Sequence, residues 1–179
     1  MMTAPWKPIA LVCAAAVAAA VPAHAQAAAE RVAAHSDWAV FIAANPQECY
    51  IVSQPTGSKA TRDGRPVEVN RGDIRLFVRF NPGEKVANEV SFTGGYPFRE
   101  GAPVKVQVGS QAFNLNPGPG DTNGWAWPLP QEDGGIVEAL RRGSSATVTG
   151  VSTRGTTTTD TFSLAGFTAA VNEAASRCK

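Results

Sequence analysis

The stretch that decides the fold is a run of alternating residues, IRLFVRF, at positions 74–80. Its even-numbered positions are all apolar, and Arg75 and Arg79 stand between them. Successive side chains of a β-strand point to opposite faces of the sheet, so this period of two predicts a strand with one buried and one solvated face. Phe77 interrupts the polar side. The run VKVQV at 104–108 repeats the alternation and predicts a second strand of the same kind.

Further short runs are rich in β-branched or aromatic residues, and Gly, Asn and Asp supply turn chemistry between them. These runs lie at residues 38–43, 49–53, 90–93, 146–152 and 156–164. Many short strands without regularly alternating helices are typical of a mainly β domain. The sequence therefore predicts an antiparallel β-sandwich.

Two segments have helical patterns. Residues 131–142 begin with acidic residues, end with Arg141 and Arg142, and precede Gly143, where a left-handed helix cap is expected. Apolar residues recur at helical spacing from Phe167 to Cys178. We therefore expect one short helix, and a C-terminal helix that carries Cys178 to the sheet.

The N-terminal residues have the layout of a secretory signal peptide. Lys7 precedes an apolar run that ends at the small-residue cleavage pattern Ala23-His24-Ala25. This run is too short to span a bilayer, so an integral membrane protein is not expected. The predicted organisation is a signal peptide at 1–25, a flexible leader at 26–36 and a single sandwich domain at 37–179. The mature protein is expected in the periplasm or outside the cell after cleavage near Ala25.

Charge argues against one class of partner. Of the 16 Lys and Arg residues only Lys7 lies before the cleavage site, so the mature chain is balanced against 15 Asp and Glu. A domain that binds nucleic acid needs a basic excess or stripe, because it must displace the counterions of the phosphates. We therefore expect no nucleic-acid partner.

The cysteines predict a covalent link. Cys13 lies inside the apolar run, and the alternative that it carries a lipid is disfavoured because Val12 precedes it instead of a small residue. Cys49 and Cys178 remain, and an even pair in an exported chain is normally a disulfide. Two free thiols, or a thiol nucleophile at Cys49, are the competing interpretations.

The residues for common catalytic sites are missing from the mature sequence. His35 is its one histidine, it lies in the predicted leader, and we expect it to be exposed and idle. A Ser-His-Asp set therefore lacks a base, and the Gly-x-Ser-x-Gly turn of hydrolases is absent. Cys49, Cys178 and His35 are too few for a structural zinc site unless carboxylates complete it. We predict no catalytic residue, no metal site and no cofactor.

Carboxylate pairs are the alternative source of catalysis. Glu84 with Glu89, or Glu132 with Asp133, have the residue types that glycoside hydrolysis uses. Acids at a helix start normally complement the helix dipole, and acids in loops are normally solvated. We favour these non-catalytic roles.

Trp125 and Trp127 form the candidate binding surface. They follow the Gly- and Pro-rich loop 116–124, and a separation of two places both rings on one side of an extended segment. Exposed indoles there would form a platform for a sugar or a peptide. Buried indoles would close one end of the core, and we favour burial because large aromatic residues in a small sandwich are more often core.

Residues 71–73 spell Arg-Gly-Asp, a tripeptide that integrins bind in some adhesins. Three residues match by chance often, and these stand directly before the strand at 74–80. We interpret them as a turn in which Gly72 supplies the backbone freedom.

Several C-terminal motifs resemble the invasion-associated locus B protein family of exported bacterial proteins. They are RRG at 141–143, VTG at 148–150, RG at 154–155 and DTFSLAGFTAA at 160–170. SDW at 36–38 resembles the opening strand of that family. The resemblance implies an immunoglobulin-like sandwich in the periplasm or envelope and, in some pathogens, a link to host-cell invasion. It implies no enzyme and transfers no catalytic residue.

These observations favour a non-catalytic envelope protein that acts as a periplasmic binding or structural module. Its expected partner is an envelope protein or a glycan. Two alternatives stay open: a small envelope hydrolase that uses a carboxylate pair, and a glycan-binding module that uses exposed Trp125 and Trp127. A buried acidic pair with raised pKa values in a cleft would favour the hydrolase.

Overall fold

The computed structural model describes residues 28–45 and 47–179, so the predicted signal peptide at 1–25 lies outside the described residues. The described chain forms twelve strands in two layers. The first sheet contains β1 (Glu30–His35), β2 (Trp38–Ala43), β3 (Glu48–Ser53), β6 (Arg75–Asn81), β7 (Val86–Thr93) and β10 (Trp125–Trp127). The second sheet contains β4 (Gly57–Arg62), β5 (Arg65–Pro66), β8 (Val104–Val108), β9 (Gln111–Pro117), β11 (Ser145–Val151) and β12 (Thr157–Ser163).

Antiparallel pairing connects all twelve strands in the order β1-β2-β3-β6-β7-β10-β9-β8-β11-β12-β4-β5. Strand β9 joins the two layers, because its first part pairs with β8 while Asn116 and Pro117 pair with β10. The mainly antiparallel β-sandwich predicted from the sequence is confirmed.

The core lies between the two sheets and follows the alternation of the strands. The apolar even-numbered positions of β6, Leu76, Val78 and Phe80, are buried, as the sequence predicts. Inner-face rings also meet across the layers, since Phe92 of β7 contacts Phe162 of β12 edge to face with centroids 6.2 Å apart. The opposite side of each strand therefore faces outward, and on the first sheet this outer side carries the candidate site.

Both predicted helices are present, as α1 (Asp133–Arg142) and α2 (Phe167–Arg177). The expected left-handed cap at Gly143 is not formed, because this residue is extended, with φ −84° and ψ 162°. The absence of a side chain at Gly143 instead allows neighbouring side chains to pack closely against it. A Cβ at Gly143 would lie 2.4 Å from Val108 Cγ1 and 2.9 Å from Leu164 Cδ1.

A disulfide joins Cys49 of β3 to Cys178, which directly follows α2. The two Cα atoms are 5.9 Å apart, although 129 positions separate the residues in sequence. Helix α2 packs on β2 and β3, and Phe167 contacts Trp38 edge to face at 4.9 Å. The bond therefore fastens the end of the chain to the sheet on which α2 already lies.

The segment predicted as a flexible leader differs from that expectation over residues 30–35. These residues form the edge strand β1, which pairs with β2 from Glu30↔Ile42 to His35↔Trp38. An edge strand forms when its backbone groups pair with those of the neighbouring strand. The side chains of an alanine-rich stretch carry no pattern from which this pairing could be predicted. The sandwich domain consequently includes residues that precede 37.

His35 is also not idle. Its Nε2 lies 2.6 Å from Glu173 Oε2 on α2, and its carbonyl lies so close to Gly166 that a Cβ there would overlap it. Hydrogen bonds from His35 and Arg177 hold the pKa of Glu173 below its usual value. His35 therefore helps to fasten the C-terminal helix to the edge strand.

Among the described residues, neither helix is long and apolar enough to cross a membrane.

Candidate functional site

The outer side of the first sheet carries a row of aromatic side chains, which we call the aromatic face. Its members are Phe41 of β2, Tyr50 of β3, Phe77 of β6, and Trp125 and Trp127 of β10. Successive rings contact one another, with centroids 5.1, 5.9, 5.4 and 6.2 Å apart in that order. All five side chains are half-buried. Four adjacent contacts thus make one continuous aromatic surface.

A small residue on β7 allows this row to close. Phe77 and Trp125 stand on strands that are not neighbours, because β7 lies between β6 and β10. Ser91 is the β7 residue opposite Phe77, and it is buried beneath the surrounding side chains with 7% exposure. The short side chain of Ser91 leaves the space that the two larger rings share.

The preference for buried tryptophans is corrected by the structure. Trp125 and Trp127 are half-buried on the outer side of β10, and Ala126 between them is fully buried. The alternation of a strand puts both rings on one side, as the sequence predicts, but does not say which side. Here the small Ala126 fills the core position, and the two nearly parallel indoles, 25° between planes, face outward.

The loop 116–124 holds β10 in place. The Gly118 N–H donates to Trp125 O at 2.9 Å. Gly118 has no room for a side chain, because a Cβ there would overlap Thr122. Thr122 lines the same groove as the two tryptophans. The glycine thus allows the loop to fold tightly beside the indoles.

The aromatic face borders a groove of about 620 Å³ whose polar side is centred on Arg79. Arg79 Nε donates to Glu89 Oε1 at 2.8 Å, and Nη2 donates to Glu89 Oε2 at 3.2 Å. Nη1 reaches Glu48 Oε2 at 3.3 Å, and Nη2 also reaches Glu84 Oε2 at 3.2 Å. We call the three carboxylates Glu48, Glu84 and Glu89 the acidic cluster. It surrounds a single guanidinium, so its local charge is negative.

The pKa values around the groove reflect this arrangement. The hydrogen bonds that Arg79 donates to the Glu89 carboxylate hold the pKa of Arg79 above its usual range. Burial, assisted by the charge of Glu48, raises the pKa of Tyr50. Arg79 is therefore a fixed cation within the cluster, and the Tyr50 hydroxyl stays protonated at neutral pH.

Comparison with known proteins identifies the family. The family model described as "Invasion associated locus B (IalB) protein" matches residues 43–175, which is most of the chain. The chain belongs to the IalB family. The resemblance seen in its C-terminal motifs is thereby confirmed.

Among solved structures, the IalB-family chain is similar to invasion associated protein B from Bartonella henselae. The TM-score is 0.54 at 18% sequence identity, and the match covers 83% of this chain and 96% of the other. This level of identity supports a shared fold. No curated protein matches the sequence significantly.

The carboxylate pairs considered from the IalB-family sequence have structural partners. Glu84 and Glu89 both bind Arg79. Glu132 Oε2 accepts from Leu129 N–H at 3.2 Å, and Asp133 Oδ1 accepts from Val90 N–H at 2.8 Å. Neither pair faces an open cleft as two free carboxylates.

Asp133 nevertheless stands apart, because it is buried and lines a hollow beside Trp127 and Glu89. Burial raises the pKa of Asp133 to about 6, and the charges of Glu89 and Glu132 contribute, while the Val90 N–H opposes the shift. Its Oδ1 satisfies a backbone donor of β7 beyond the end of β10. One oxygen is therefore used for structure.

No group of three or more His, Cys, Asp or Glu side chains that could hold a metal ion occurs within residues 28–45 and 47–179. Cys49 and Cys178 are joined to each other, and His35 binds Glu173.

The Arg-Gly-Asp tripeptide is not presented for binding through its arginine. Arg71 Nη1 and Nη2 each donate to a carboxylate oxygen of Asp160 at 2.7 Å. The two side chains are 8% and 0% exposed. Gly72 lies against Gly95, with Gly72 N–H donating to Gly95 O at 3.0 Å. Arg71 is therefore part of the internal packing of the IalB-family chain, while the Asp73 side chain is exposed.

Sequence reasoning found two members of the aromatic face and missed three: Phe41, Tyr50 and Phe77. The signal that could have found Phe77 is its place on the polar side of the run 74–80. A single outward aromatic residue is ordinary, and Phe77 gains its significance from the neighbouring rings that make the surface contiguous.

Proposed function

We propose that this IalB-family chain is a non-catalytic binding module of the bacterial envelope, exported to the periplasm or beyond it after cleavage near Ala25. The aromatic face is its binding surface. The observation that carries the proposal is the outward position of five contacting rings on one sheet. The disulfide between Cys49 and Cys178 supports export, because such bonds persist in oxidising compartments.

Energetics favour a binding role for this surface. A globular domain gains stability by burying large rings, so a contiguous row left partly exposed indicates an interaction site. Aromatic residues supply large contact areas and dominate the energy of many interfaces. Strands β2, β3, β6 and β10 hold the five rings in one hydrogen-bonded sheet, so little order has to be acquired on binding.

The family description associates these proteins with invasion. The same binding surface would serve contact with a host cell or a function within the envelope. An unknown envelope protein or a glycan is the partner class that follows from the predicted compartment.

The experiment is a crosslinking recovery of partners from the periplasm with the tagged full chain. The test variant is Trp125→Ala/Trp127→Ala, and Leu129→Ala is the matched control, because Leu129 is 50% exposed and lies outside the aromatic face. Circular dichroism and thermal melting establish that each protein is folded. We expect the folded double variant to lose partners that Leu129→Ala retains. If the folded double variant retains every partner, the aromatic face is not the binding surface.

A hydrolase remains the second candidate, and the raised pKa of buried Asp133 favours it. Asp133→Asn and Glu89→Gln test it with envelope glycan fragments as substrates. We expect no turnover by the wild-type protein. Turnover that is abolished in Asp133→Asn, while the variant stays folded, would replace the binding proposal with the hydrolase.

A further inference from the structure

We propose that the groove beside the aromatic face binds a cationic segment of a partner polypeptide, through Lys or Arg side chains that lie between the rings and the acidic cluster. This inference rests on the proposed function, because it names the chemistry of the occupant of the same surface.

The negative charge of the groove is the first observation that favours a cationic occupant. Glu48 and Glu89 line the groove with a single guanidinium, that of Arg79, so the groove has one carboxylate in excess. Glu84 does not line the groove, but it binds the same guanidinium and adds a further negative charge beside it. Among the described residues no donor is bound to Glu48 Oε1 or Glu84 Oε1. Glu48 and Glu84 are 29% and 60% exposed in their side chains, so an incoming cation can reach them.

Arg79 does not make the groove a site for an anion. Its Nε, Nη1 and Nη2 atoms all donate to the acidic cluster already. An anionic ligand would have to displace a carboxylate and would then face the remaining negative charges. The acidic cluster therefore disfavours anions.

The aromatic rings provide the second half of the recognition. The face of an aromatic ring carries negative charge density and attracts ammonium and guanidinium groups within about 6 Å of its centroid. Tyr50 and Phe77 line the groove together with Glu48 and Glu89, so rings and carboxylates border the same space. A Lys or Arg side chain can place its alkyl part on a ring and its charge beside a carboxylate.

Two further features agree with a negative groove. The charge of Glu48 contributes to the raised pKa of Tyr50, and the charge of Glu89 contributes to that of Asp133. The volume of about 620 Å³ falls within the roughly 300–1,000 Å³ that is usual for ligand pockets. A neutral glycan would use the rings and could donate hydroxyl hydrogen bonds to the carboxylates, but it would not neutralise their excess charge.

The test measures binding of a fluorescein-labelled oligo-arginine peptide to the mature protein by fluorescence anisotropy. An oligo-glutamate peptide and a neutral oligosaccharide are the comparison probes. The test variant is Glu48→Gln/Glu84→Gln, which keeps the Arg79–Glu89 pair. The matched control is Glu68→Gln/Glu100→Gln, which removes the same net charge from exposed positions outside the groove.

We expect the arginine peptide to bind, and its affinity to fall as salt is added. The Glu48→Gln/Glu84→Gln variant should bind it about three- to tenfold more weakly, and the remote control should change by less than about twofold. Equal weakening in both variants, or no peptide binding, overturns the inference. Binding of the neutral oligosaccharide alone overturns it in favour of a glycan. If partner recovery is still lost in Trp125→Ala/Trp127→Ala, the proposed binding function stands even though the cationic occupant is wrong.

Discussion

Arg71 and Asp160 form a two-pronged ion pair between the segment that precedes β6 and strand β12 of the opposite sheet. Both side chains are buried, and Ser58 Oγ donates to Asp160 Oδ1 at 2.7 Å. The Arg71 guanidinium also donates to Gly94 O and lies 5.1 Å from the centre of the Tyr96 ring. The pair therefore links the two layers of the sandwich through satisfied polar contacts.

Asp160→Asn should destabilise the protein by about 3–5 kcal/mol, because it leaves the buried charge of Arg71 without its partner. Urea denaturation at neutral pH measures this change. The double variant Arg71→Met/Asp160→Leu should recover much of the loss, since it removes both charges.

The control is Glu138→Gln, which breaks the ion pairs of the exposed Glu138 carboxylate with half-buried Arg141 and exposed Arg142. We expect a change of about 0–1 kcal/mol there. A loss in Asp160→Asn no larger than in this control would contradict the assigned role of the buried pair.

Cys49→Ala/Cys178→Ala should lose about 2–5 kcal/mol of unfolding free energy, because the bond closes a loop of 129 positions and limits the unfolded chain. Urea denaturation of the variant and of the reduced wild-type protein should agree. Alkylation of both cysteines in the native, unreduced protein is the result that would rule out the bond.

The raised pKa of Asp133 leads us to expect that the stability of the folded protein depends on pH. Its pKa is about 6 in the folded protein against 3.8 as the usual value, so ionisation between these values opposes folding. The stability attributed to this group is complete below about pH 3.8 and is lost as the pH rises through about 6. Asp133→Asn carries no charge and keeps an oxygen for Val90 N–H. Relative to this variant, the wild-type protein should lose stability from pH 4 to 6 in urea denaturation, and parallel curves would refute the assignment.

Local pattern was sufficient for much of the fold. The alternation at 74–80 predicts β6 because its period depends only on neighbouring residues. The disulfide could be predicted from the even number of cysteines after the signal peptide and from the oxidising compartment, with no knowledge of the strands. Strand β1 could not be predicted in this way, since residues 30–35 become a strand by pairing with β2.

The aromatic face depends on the order of the strands, which no local pattern contains. Phe41, Phe77 and Trp125 are far apart in the chain and meet only because β2, β3, β6, β7 and β10 are consecutive in the sheet. The spacing of Trp125 and Trp127 predicted a shared side. Which side faces the core was decided by Ala126, whose small side chain fits the interior.

The central claim is that the aromatic face contacts the partner, and site-specific photocrosslinking in cells tests it most directly. A photoreactive phenylalanine analogue replaces Trp127 in one protein and Gln107 in another, because Gln107 is exposed on β8 of the second sheet. We expect a discrete crosslinked product from position 127 and none from position 107. Products from position 107 alone, or equal products from both positions, would contradict it.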